Sequence, residues 1–169
     1  IKVASIHPMF GPTTELLSGR HVIFVDVGSE EGMTQAREIF TPTMATLVEM
    51  DLDSHDRMIA YVLGLSHALN IIFFTALAES GEEIPRLAQM SSTTFDAQLA
   101  VARSVAEDNP YLYFEIQSLN EFGSESLDAL SSALSQLLTV LKDTNEEGFY
   151  SMMKKGEQYL HGRDSNLSD

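Results

Sequence analysis

The chain has 169 residues, 44% of them apolar, with 25 acidic against 10 basic residues and a formal net charge of −15. That length suits one good core or two small ones, and the charge excludes a nucleic-acid partner, because no basic cluster is dense enough to follow a phosphate backbone. The lack of cysteine excludes disulfides, a thiolate nucleophile and a Cys-based metal site, and it fits a reducing, cytoplasmic setting.

The N-terminus runs straight into Ile-Lys-Val-Ala-Ser-Ile, with no signal peptide and no initiator Met, so a fragment or processed product is expected. Residues 2–6 alternate weakly and predict a short strand ending at His7-Pro8. Met9-Phe10-Gly11-Pro12 reads as a loop. His21 to Val27 is β-branched and aromatic and predicts a buried strand. Glu30 to Phe40 has helical spacing, with acids in its first turn. Ala45 to Met50 is either a third strand or a helix end. Residues 1–51 therefore look like the tail of an α/β sheet. It is an incomplete one, since no Gly-x-Gly-x-x-Gly occurs in the chain.

After Asp51 the pattern is helical. From Met58 to Ala78 no residue carries a formal charge. Asp53 or Ser54 is placed to cap this helix, with Asp56 completing a capping-box-like pair, and Gly81 stands where a C-cap glycine would. The stretch is long enough to span a bilayer. Ser66, His67 and Asn70 at its middle, and the lack of a flanking basic cluster, argue against a membrane. A helix apolar on nearly every face must then be wrapped by its own domain and by a second copy, with Ala60 and Gly64 allowing close approach.

Further helices are predicted from Glu82 to Gln89, from Ser91 or Ser92 to Glu107, and from Asn109-Pro110 onward. Another follows the Leu127–Leu141 stripe, and a last one is capped by Asn145. The fold class is mostly α: a helical, dimerising bundle around one long central helix over residues 52–162, preceded by the α/β segment 1–51. Residues 163–169 are read as a tail or linker.

Among the five histidines no His-x-x-x-His or His-Glu-x-x-His pair occurs, so no metal site is expected. His7, at a strand end, can serve as a base near neutral pH, or can simply bond a nearby carbonyl. His67, with Ser66 and Asn70, forms a polar patch that is either satisfied internally or turned to a ligand. His55, near the helix start, has a structural or supporting place. Arg103 is either an exposed partner of Glu107 or a bidentate carboxylate clamp.

Taken together, these residues resemble the prephenate dehydrogenases. His-Pro-Met-Phe-Gly-Pro at 7–12 is similar to that family's catalytic-histidine loop. His55-Asp56-Arg57-Met58 and Leu65-Ser66-His67-Ala68 resemble its central helix. Met90-Ser91-Ser92, Ala102-Arg103 and Asp108-Asn109-Pro110-Tyr111-Leu112-Tyr113 resemble the helices that follow, and the likeness runs to about residue 160.

The resemblance implies an enzyme of tyrosine biosynthesis that oxidises prephenate with NAD and loses CO₂ to give 4-hydroxyphenylpyruvate. It implies a homodimer with a Rossmann-like nucleotide domain before the helical one. His7 would take the ring hydroxyl proton. Arg103 would bind a substrate carboxylate, with His67 and His55 lining or flanking the substrate, and Pro8 would touch the cofactor. NAD or NADP would be held mainly by a region before Ile1, because the Gly-rich loop and the serine that assists the histidine are absent here. This polypeptide alone is expected to be inactive. Arogenate as substrate, and a non-catalytic dimerisation module sensing tyrosine, remain as alternatives. Tyrosine as inhibitor and fused further domains are also compatible with the family.

Overall fold

The computed structural model describes residues 1–164, with side chains through residue 162. The chain divides into two compact units, Ile1–Gly123 and Ser124–Asp169.

The first unit begins with three strands, β1 (Ser5–Pro8), β2 (His21–Val25) and β3 (Thr46–Met50), in spatial order β1-β2-β3. β1 pairs antiparallel with β2, and β2 pairs parallel with β3. The parallel step needs a crossover, supplied by α1 (Glu30–Phe40). The run read as either strand or helix end is thus a strand, because a β-branched β2 gives it a buried edge to pair with. β2 is covered on both faces. Val22 and Phe24 pack with Met33 and Ala36 of α1, while Ile23 and Val25 pack with Ile59. Arg37 of α1 grips Glu49 of β3 through both guanidinium arms, the Nη2 bond at 2.7 Å. Gly32 lets α1 lie against the N-terminal segment; a Cβ there would sit 2.1 Å from the Val3 carbonyl oxygen.

β1 starts later than expected, at Ser5, and ends at His7-Pro8 as expected. Pairing carries on past His7: Pro8 stands opposite Val22, and the Met9 amide donates to the His21 carbonyl.

The central helix follows β3 without a linker. It comprises α2 (Leu52–Ile59), a π-helical turn (Ala60–Leu65) and α3 (Ser66–Glu79). Its cap is Asp51, not Asp53 or Ser54. One Asp51 oxygen accepts the Ser54 amide at 2.8 Å and the other the Ser54 hydroxyl at 2.7 Å. Asp56 completes no capping box, because its carboxylate is engaged by His55. The boundary expected at 51/52 falls inside one unit, since Ile59 and Leu63 pack on the sheet. The helix is held to Ser80, and Gly81 takes the left-handed conformation, φ 77°, that ends it.

The π turn changes what the helix presents. In a continuous α-helix, His55 and His67 would point about 120° apart; the one extra residue of a π turn brings them to within about 20°. The turn is stabilised from two sides. The Ser66 hydroxyl donates to the Val62 carbonyl at 2.7 Å, and Gln117 Nε2 donates to the Gly64 carbonyl at 2.8 Å. Gly64 and Ala60 are buried beside it.

Helix α4 (Ile84–Ala88) is short. Helix α5 (Thr93–Ala106), capped by Ser92, packs on α3, with Phe95 edge-on to Phe73. Buried Asn70 is fully used: it donates to the Ser66 carbonyl and accepts from Gln98 Nε2, both at 2.8 Å. Helix α6 (Pro110–Ser118) starts at the expected Asn109 cap with Pro110 in its first turn. By length and composition Leu52–Glu79 could cross a bilayer; in the fold it packs on β2 at its start and on α5 and α6 beyond. Met58, Tyr61, Val62, Leu69 and Ile72 remain 44–56% exposed, an apolar stripe along one helix that its own unit does not cover.

The second unit holds α7 (Gly123–Lys142, entered from the first unit) and α8 (Glu146–Asp164), joined through Thr144 in a left-handed conformation. Asn145 caps α8 by accepting the Gly148 amide at 2.8 Å. Leu134, Leu138 and Leu141 are half or more exposed. α8 continues through Asp164; the rest of the segment read as a tail or linker lies outside the described residues.

Removing the Gln117 amide takes a hydrogen bond from the buried Gly64 carbonyl. Gln117→Ala is expected to cost about 1–3 kcal/mol of unfolding free energy. A denaturant titration checks this, with Gln136→Ala, whose side chain bonds only an exposed hydroxyl, as the variant that changes little.

Candidate functional site

Strand register builds the first wall of the site. His7 stands opposite Ile23, and paired residues on neighbouring strands point to the same face of a sheet. His7 therefore shares the face on which Ile59 packs. His55 lies one helical turn before Ile59 and meets it there. Beyond the π turn, His67 returns to the same side, and α6 closes the opposite wall.

The result is an open cleft of about 450 Å³, whose polar lining comprises His7, Asp56, His67, Asp108, Tyr113, Glu115 and Asn120. Ile59, Leu63, Leu112, Ile116 and Leu119 form its apolar floor and sides. His7 Nδ1 lies 2.9 Å from His55 Nε2, and the rings meet edge to face at 5.2 Å between centroids. His55 Nδ1 in turn lies 2.7 Å from Asp56 Oδ1. Asn120 Nδ2 donates to the Asp56 backbone carbonyl at 2.7 Å, tying the end of α6 to α2. His67 sits edge-on to Tyr113 at 4.4 Å, and its Nδ1 is buried without a hydrogen-bond partner. The Tyr113 hydroxyl reaches Asp108 at 3.4 Å.

Burial, with His55 adding to it, holds His7 below the ordinary imidazole value. Burial also lowers His67, against an opposing pull from Asp108, and raises Tyr113, with Asp108 adding to it. Two neutral imidazoles therefore face one cleft, and one of them has an unsatisfied nitrogen. A buried polar atom without a partner is exceptional in a folded protein and suits a ligand contact. Such a site can accept a proton from a bound hydroxyl and hydrogen-bond a second group.

The sequence-predicted residues distribute unevenly. His7 and His67 line the cleft; His55 does not line it but holds His7. The polar patch splits, with Ser66 and Asn70 satisfied internally and His67 left open. Pro8, at the end of β1, is exposed. Arg103 is not brought to the cleft within this chain: it is exposed in the last turn of α5 and makes no ion pair among the described residues, including with Glu107. The preceding residue, Ala102, is buried, and one residue further on turns a helical side chain about 100° away. Sequence reasoning assigned no role at the site to Asp108, Tyr113, Glu115 or Asn120. Tyr113 and Asp108 flank the Asn109-Pro110 start of α6, a signal that marks a helix entry and not a wall. Among the described residues no Lys or Arg lines the cleft, and no group of His, Asp and Glu side chains there is arranged to hold a metal ion.

The family described as prephenate dehydrogenase, dimerization domain, matches residues 51–155. The probable arogenate/prephenate dehydrogenase of Methanocaldococcus jannaschii is 24% identical over 163 residues, covering 95% of this chain and 36% of its own. Synechocystis arogenate dehydrogenase shares the fold, with a TM-score of 0.70 at 18% identity over 96% of this chain and 61% of that one. So does the Aquifex aeolicus prephenate dehydrogenase solved in complex with hydroxyphenyl propionate and NAD+, with a TM-score of 0.58 at 16% identity over 85% and 50%. The chain thus spans roughly a third to two thirds of the lengths of these proteins.

Because the folded state disfavours protonation of His7 and His67, their contribution is fully present above the ordinary value of 6.5 and is lost as pH falls below it. Unfolding free energy is expected to drop between about pH 7 and pH 5. The His7→Asn/His67→Gln double variant should show a flatter profile over that window in denaturant titrations.

Proposed function

Because the chain belongs to the prephenate dehydrogenase dimerization-domain family, we propose that it forms the substrate side of a cytoplasmic dehydrogenase that converts prephenate to 4-hydroxyphenylpyruvate. The observation that supports this is the placing of His7 in a cleft, with one ring nitrogen engaged by His55 and the other free for a ligand among the described residues.

The cofactor is NAD, the dinucleotide carried by the related Aquifex aeolicus complex. The three strands here offer no Gly-rich loop to cradle a pyrophosphate, so the described residues do not fit the dinucleotide's phosphates. Their part is binding and proton transfer. A nicotinamide, when bound, supplies the acceptor for the ring hydride. His7 Nε2 accepts the ring hydroxyl proton, which needs a neutral base, and burial keeps this one neutral. Loss of CO₂ then returns its electron pair to the ring, which becomes aromatic. His67 Nδ1 is available to a polar group of the same substrate. Carboxylate binding is assigned to Arg103, whose guanidinium is unpaired among the described residues and whose planar fork suits a carboxylate. A second copy of the chain covers the Met58–Ile72 stripe, which is too apolar to be left in water. Tyrosine, which shares the product's phenol ring, is the inhibitor that such a cleft would accept.

A second reading, arogenate as substrate, is favoured by one observation. Asp56, Asp108 and Glu115 line the cleft, and no Lys or Arg among the described residues joins them; such a lining suits a substrate carrying an ammonium group.

In the full gene product, His7→Asn is expected to lower kcat by about 10²–10⁴-fold with a much smaller change in KM. Arg103→Ala should raise KM with the fold intact. Steady-state assays with prephenate and with arogenate check both. A His7→Asn variant with the parent kcat would remove His7 as the base, and an unchanged KM would remove Arg103 from the site.

A further inference from the structure

We propose that Asp56 and His55 are positioning residues that set the tautomer of His7, keeping its Nε2 bare for the substrate's hydroxyl proton. The proposal rests on the reading of His7 as the base and adds to it the reason the correct nitrogen is available.

The argument starts at the end of the chain of bonds. A carboxylate only accepts, so the 2.7 Å contact from Asp56 Oδ1 places a proton on His55 Nδ1. A neutral His55 then has a lone pair on Nε2. That atom lies 2.9 Å from His7 Nδ1, and the only proton that can fill the gap is one on His7 Nδ1. Neutral His7 carries a single ring proton, so its Nε2 is left with a lone pair. The His55 side chain is only 14% exposed, so water competes little for this arrangement. Asn120 supports it by holding the Asp56 backbone carbonyl.

The same wiring accounts for where the proton goes. Substrate O–H gives its proton to His7 Nε2; His7 Nδ1–H can then pass to His55 Nε2, and the positive charge comes to rest beside the Asp56 carboxylate. No electron pair leaves the two rings; His7 gains one proton and gives one up, and His55 ends with one proton more. Conversely, a His55 that is already protonated donates from Nε2 to His7 Nδ1. The single proton of neutral His7 is then forced onto Nε2, and the base is blocked. One proton on the pair therefore switches the site off, so the acidic limb of the rate profile belongs to the pair and not to either ring. The groups facing His7 across the cleft are Asp56 from α2, His67 from α3, and Asp108, Tyr113 and Glu115 from α6 and its entry. Of these, the Asp56→Ala substitution removes only the Asp56 carboxylate.

Two measurements test this. In the present chain above pH 7.5, long-range ¹H–¹⁵N correlation of the histidine rings, with His7 assigned by its loss in His7→Asn, should show a protonated Nδ1 and a lone-pair Nε2 on His7. The opposite tautomer overturns the proposal; whether His7 is the base is decided separately, by the kcat of His7→Asn. In the full gene product, Asp56→Ala should lower kcat on the order of 10²-fold, with KM changed far less, and should shift the acidic limb of kcat/KM. Asp56→Glu should recover most of the rate, and the His7 tautomer should become mixed in Asp56→Ala. A parental kcat and pH profile in Asp56→Ala overturns the proposal. If His7→Asn also retains full kcat, the failure lies in the functional reading instead.

Discussion

The packing of Ile59 and Leu63 on the Ile23–Val25 face of β2 joins a small sheet to a long helix, and the rest of the first unit is arranged around that seam. It is a modest apolar contact; full burial of one Ile is worth about 1.5–3 kcal/mol. Its importance is positional. β1 registers His7 beside Ile23, and the helix carries His55 one turn before Ile59. Apolar packing thereby brings two imidazoles to hydrogen-bond distance although 48 residues separate them in the chain.

The π turn extends that logic along the helix. A straight α-helix would send His67 away from the sheet. The extra residue returns it to the cleft, at the expense of regular hydrogen bonding, which Ser66 and Gln117 restore from outside the ladder. Irregular backbone of this kind is often found at functional sites. Gln117 and Asn120 both reach back from α6 or its end to α2 and the π turn, so the opposite wall of the cleft is fixed by the same bonds that steady the irregularity.

Charge sets the remaining character of the site. Neutral imidazoles, an unpartnered His67 nitrogen and three carboxylates share one cleft. For a substrate with two carboxylates, such a lining supplies proton acceptors but not countercharge, which makes the exposed guanidinium of Arg103 and the apolar helix stripe parts of one problem. Both are exposed in this chain.

Much of this was legible in the residues. The buried β2, the Glu30–Phe40 helix, the Asn109-Pro110 helix start and the Gly81 stop follow from local chemistry: β-branching, first-turn acids and caps. These signals act over a few residues, so sequence alone determines them. What only the tertiary structure decided depends on distant residues meeting. The start of β1 was set by its pairing with β2, and the true cap Asp51 by the direct passage from β3. The internal satisfaction of Asn70 required Gln98, and the π turn required Gln117. Asp56, which sequence spacing offered as a capping residue, became the partner of His55, because a carboxylate beside a half-buried imidazole is better placed there than at an already capped helix end. Arg103 shows the opposite case. Its chemistry was readable, but its direction was not, since that depends on which face of α5 packs inward.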